Sequence, residues 1–87
     1  MSDPQETTIT LDRSVALVLF DFLARTTDEE DGEPLREALQ HPAELPALWA
    51  TLAALESVLA EPFAPDYGAI LKAARKDVTT RLGTATS

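Results

Sequence analysis

The sequence predicts an all-α protein, a three-helix bundle with room for an extra short helical turn before the second helix, on three observations. Apolar residues recur at helical spacing in three segments, about 13–25, 45–60 and 65–82. Acidic runs with glycine and paired prolines, Thr26 to Glu33 and Glu61 to Pro65, separate them. The best alternating stretch, Thr7 to Leu11, is a short extended piece at most.

Asp12 precedes the first apolar segment and suits an N-cap, because its carboxylate can accept from backbone N–H groups one turn on. Val15, Leu19, Phe22 and Leu23 define one face of helix one, and Leu17 and Phe20 widen the stripe. Such a helix is either central or offers apolar surface to a partner. Thr26 to Glu33 reads as a loop, and its five acids, Asp28, Glu29, Glu30, Asp31 and Glu33, make the strongest local field of the chain.

Pro34 fits the start of a short helical turn through Leu35, Ala38 and Leu39 that ends near His41, since Pro42 disfavours helix in the residue before it. Pro46 can occupy the first turn of helix two, in which Leu45, Leu48, Trp49, Leu52, Leu55, Val58 and Leu59 recur at helical spacing. Pro65 is preset for the start of helix three, with Asp66 favourable near its N-terminal dipole. Tyr67, Ile70, Leu71, Ala74, Val78 and Leu82 supply its apolar face, and Gly83 can end it in left-handed geometry.

The chain of 87 residues is long enough for one domain, taken as 9–83 with a flexible arm at 1–8 and a tail at 84–87. A domain of this size buries roughly 60% of its unfolded surface, so its stability margin is thin. Apolar residues at 45% and charged residues at 25% are globular composition. The absence of cysteine excludes disulfides and thiolate metal sites, and a reducing, cytoplasmic location is the simplest expectation. Met1 to Thr8 carries Asp3 and Glu6 without a basic region or apolar run, which is unlike a signal peptide. No segment approaches the roughly 18 apolar residues of a membrane span.

A net charge of −8 disfavours nucleic acid and anionic membranes and favours a basic partner. Residues 1–66 hold 14 acids against 3 bases, while 67–87 hold Asp77 against Lys72, Arg75, Lys76 and Arg81. Any acidic face therefore comes from the first two thirds of the chain.

The chemistry-bearing candidates have plain structural readings. His41, the single histidine, lacks the further ligands a metal needs and reads as a structural or capping residue. The 28–33 loop lacks the alternate-position ligands of a calcium loop, so it is a solvated loop or an electrostatic patch for a basic partner. Asp12, Asp21, Glu56, Glu61 and Asp66 could supply paired carboxylates, but a bundle this small has little interior to shift their pKa values. Three scattered glycines make no phosphate loop. Ser57 resembles the attachment serine of acyl carrier proteins in its setting, yet those carriers place it at a helix start and Ser57 lies deep in helix two.

Glu56 sits beside the apolar stripe, where Arg75 or Lys72 could neutralise it or a partner could meet it. Trp49 and Tyr67 read as core, whereas Phe20 and Phe63 read as partly exposed anchors for a partner. No enzymatic activity, cofactor or metal is expected.

The segments Leu17-Val18-Leu19-Phe20-Asp21-Phe22-Leu23, Leu52-Ala53-Ala54-Leu55-Glu56 and Pro62-Phe63-Ala64-Pro65-Asp66-Tyr67 resemble a group of small bacterial proteins over about residues 9–82. In size and charge the chain is similar to immunity proteins, which bind and block a cognate toxin. That resemblance implies an inhibitor that occludes a basic cleft, with loop 28–33, Asp21 and Glu37 as the steering surface. The competing expectation is a helical interaction module or self-associating subunit that uses Leu17 and Phe20 of helix one.

Overall fold

In a computed structural model, residues 5–84 are described. Residues 1–4 of the expected arm and 85–87 of the expected tail lie outside the described residues. Helix α1 spans Arg13–Leu23, α2 Glu44–Val58 and α3 Tyr67–Leu82, and no strand forms among the described residues. A π-helical turn, Ala24–Asp28, extends α1, and 3-10 turns at Glu33–Leu35 and Glu61–Phe63 precede α2 and α3.

Helix α1 is the central element and packs against both α2 and α3. Asp12 caps it as its position demands, with the Val15 N–H donating to Oδ2 at 3.2 Å. The buried face is Ala16, Leu17, Phe20 and Leu23, which meets Leu52, Leu55 and Leu59 from the α2 side and Ala74 from α3. This corrects the expected face. Phe22 is turned outward at 41% exposure, with the Arg25 guanidinium 5.7 Å from its ring centroid, while Leu17 and Phe20 belong to the core. The run Leu17 to Leu23 is apolar almost all round, so two adjacent stripes compete; the one that continues into buried Thr26 and Thr27 wins.

The expected loop beginning at Thr26 is a second correction. The Glu29 N–H donates to the Ala24 carbonyl at 2.9 Å, a five-residue step, and the Thr26 and Thr27 hydroxyls donate to the Phe22 and Leu23 carbonyls at 2.6 Å. Those bonds satisfy two threonines that are otherwise cut off from water. Trp49 of α2 donates from Nε1 to the Thr27 carbonyl at 2.7 Å, which ties α2 to this turn. Trp49 itself stays 42% exposed, less enclosed than a core residue.

The chain reverses at Asp31 and Gly32, whose φ values are 51° and 78°. The positive φ of Gly32 is what favours glycine there; an added Cβ would lie 2.8 Å from a terminal methyl of Leu45, which would have to turn aside. Pro34 occupies the first turn of the short helix, as its fixed φ predicts. Glu44 accepts from the N–H groups of Gln40 and His41, and His41 Nδ1 accepts from the Ala43 N–H at 2.9 Å. His41 therefore shapes the approach to α2. Helix α3 begins at Tyr67, two residues later than its prolines suggest, and ends at Gly83 with φ 88° and an extended ψ of 178° in place of the left-handed cap.

Three arginine bridges join elements distant in sequence. Arg75 of α3 meets Asp21 of α1 at 2.8 Å, Arg81 meets the capping Asp12, and Arg13 grips Glu61 with both guanidinium arms. Arg13 holds the Glu61 carboxyl below its ordinary range. Arg81, helped by Ser14, does the same to Asp77.

Candidate functional site

The side of the bundle at the C-terminal end of α1 carries a cleft of about 270 Å³. Its floor is Phe20 and Leu52, both buried; Pro62 and Phe63 form one wall, and Asp28, Glu29 and Glu56 stand on the rim. Asp21 and Tyr67 complete it. The π-helical turn explains how the acids reach this place, because it carries the helix through Asp28 and so sets Asp28 and Glu29 beside α2.

Of the residues singled out in the sequence, Phe20, Asp21, Asp28, Glu29 and Phe63 converge on this cleft. Glu30, Asp31, Glu33 and Glu37 are exposed but lie outside it. Phe20, expected as a partly exposed anchor, is only 9% exposed and forms floor and core at once, since the centre of α1 has helices on both sides. Phe63 is 71% exposed and is available as an anchor. Asp21 is engaged by Arg75 and, at 3.6 Å, by Arg25, so little of its charge is left for steering. Glu33 pairs with Arg36 at 3.4 Å in full exposure, a contact worth little.

Arg75 pairs with Asp21 and leaves Glu56 exposed on the cleft rim without an ion pair among the described residues, which overturns the expected internal neutralisation of Glu56. Tyr67, expected in the core, packs against its edge. It is half-buried on the cleft lining, and its buried hydroxyl has no hydrogen-bond partner among the described residues. Burial, and after it the charge of Asp21, pushes that hydroxyl's pKa up, partly offset by Arg75. The signal that could have placed Glu56 here is its spacing from Leu52, one helical turn earlier.

A second groove of about 440 Å³ runs between residues 7–11, α1 and the end of α2. Ile9, Leu11, Leu19 and Val58 line it, and Ile9 and Val58 are exposed. Among the described residues no group of three or more His, Cys, Asp or Glu side chains is placed to hold a metal ion. No described helix is long and apolar enough to cross a membrane. Comparison with protein-family models, curated proteins and solved structures finds no match, so the functional reading rests on this chain's own residues.

Proposed function

We propose that this protein is an immunity-type inhibitor that binds and neutralises a basic toxin through an acidic surface. One observation carries the reading. All five arginines are held in ion pairs, with Asp12, Asp21, Glu33, Glu61 and Asp77, whereas Asp28, Glu29, Glu30, Asp31 and Glu37 are exposed without one among the described residues. Four of these acids, Asp28 to Asp31, are consecutive and make the densest run of unpaired negative charge among the described residues, which would accelerate encounter with a basic protein. Phe63 beside it supplies the kind of aromatic that anchors complexes.

The test is capture from the source cells at low salt on tagged protein, followed by assay of the captured protein's toxicity with and without this chain. A single basic partner, released by salt and silenced one-to-one, supports the reading. A partner whose binding ignores salt, or whose activity is untouched, contradicts it.

A helical interaction module is the second reading, favoured by the exposed apolar groove of Ile9 and Val58. Leu17 and Phe20 are core residues and supply no exposed surface for such a module, so its apolar face would be this groove. Self-association abolished by Val58→Asp in a chain that stays folded would favour the module.

A further inference from the structure

The cleft at the end of α1 selects more narrowly than a general acidic surface does. Its floor is apolar, yet Asp28, Glu29 and Glu56 on its rim have no side-chain ion pair or hydrogen bond among the described residues. An apolar visitor would strip water from these carboxylates without compensation. An anion would be repelled. A lysine would supply charge as a strongly hydrated point, without the planar fork that bridges two carboxylates and stacks flat on the exposed Phe63 ring.

An arginine meets each feature at once. Its aliphatic stem can cover Phe20 and Leu52, its planar guanidinium can bridge two carboxylates, and its face can stack on Phe63. Half-buried Tyr67 closes the far side of the lining and keeps the stem of such a side chain off water. The same combination is already built on this surface: Arg25 lies over the Phe22 ring at 5.7 Å while its Nε faces Asp21 at 3.6 Å.

We propose that this cleft receives an arginine side chain presented by a protein partner, as the anchor of the complex. The proposal rests on the reading that the chain binds a basic protein.

The probe is a capped Gly-Arg-Gly peptide, with Gly-Lys-Gly and Gly-citrulline-Gly as controls, titrated into the isotope-labelled protein and followed by amide chemical shifts. A single anchoring side chain binds in the region of about 1 mM. The expected result is a saturating shift at Ala24, Glu56 and Phe63 with the arginine peptide, weaker with lysine and absent with citrulline. Glu29→Gln combined with Glu56→Gln, both on exposed side chains, should weaken binding at least about tenfold. Phe63→Ala should narrow the gap between arginine and lysine.

Equal responses to arginine and lysine, or shifts spread over residues 28–37 with the cleft silent, would overturn the proposal. Because the peptides need no native partner, such a failure would leave salt-sensitive partner capture free to succeed. Capture can fail in turn while the peptide result stands.

Discussion

Phe20→Ala separates the two aromatic roles that the fold assigns. Phe20 is 9% exposed and packed within the cluster of Leu17, Leu23, Leu52 and Leu55, so truncation leaves a cavity between α1 and α2. Such Phe→Ala changes cost about 3–5 kcal/mol. For 87 residues the whole stability is about 4–13 kcal/mol, so the variant stands near unfolding. With a urea dependence of about 1 kcal/mol per molar at this size, the midpoint should fall by about 3 M or more. Phe63→Ala, at 71% exposure, should stay within about 0.5 kcal/mol of the parent. Urea titration followed by far-UV circular dichroism and by Trp49 fluorescence reads both, since Trp49 bridges α2 and the π-helical turn. A loss under about 1 kcal/mol for Phe20→Ala, or an equal loss for Phe63→Ala, would refute the core assignment.

Gly32→Ala should cost more than about 1 kcal/mol, because alanine is strained at φ 78° and its Cβ meets Leu45; an unchanged urea midpoint would count against the turn. Asp12→Ala removes both the cap on Val15 and the Arg81 contact, and should cost about 1 kcal/mol, read by urea titration at low and high salt. Glu61 and Asp77 have depressed carboxyl pKa values, so the unfolded chain binds protons more readily than the folded one. Their contribution is complete above the ordinary values of 4.5 and 3.8 and is lost as pH falls through the lower folded values. Thermal midpoints measured from neutral to acid pH should fall in that window, and Glu61→Gln should flatten part of the decline.

The three helices were legible because their apolar spacing and their breakers agree, and the Asp12 cap and the Pro34 turn follow from local chemistry. The rotation of α1 was not. Its run from Leu17 to Leu23 offers apolar groups on every side, and the choice depends on contacts with α2 and α3 that no local pattern contains. The threonines of the π-helical turn look like loop formers, yet here their hydroxyls bond to carbonyls one turn back and allow burial. Asp21 and Arg75 are 54 residues apart, so the pairing that frees Glu56 for the cleft rim is a tertiary outcome. The acidic loop was visible as a charge run. Its neighbours Leu52, Glu56 and Tyr67 became visible as part of a cleft only once the helices were assembled.

The most direct test of the central claim is the association rate of this chain with its captured partner as a function of ionic strength. The parent is compared with a variant carrying amides at Asp28, Glu29, Glu30 and Asp31. The expected result is a steep fall with salt for the parent, a slower and flatter response for the variant, and dissociation that changes less. A rate independent of salt, or a variant that associates as fast as the parent, would contradict the claim that this acidic surface steers binding.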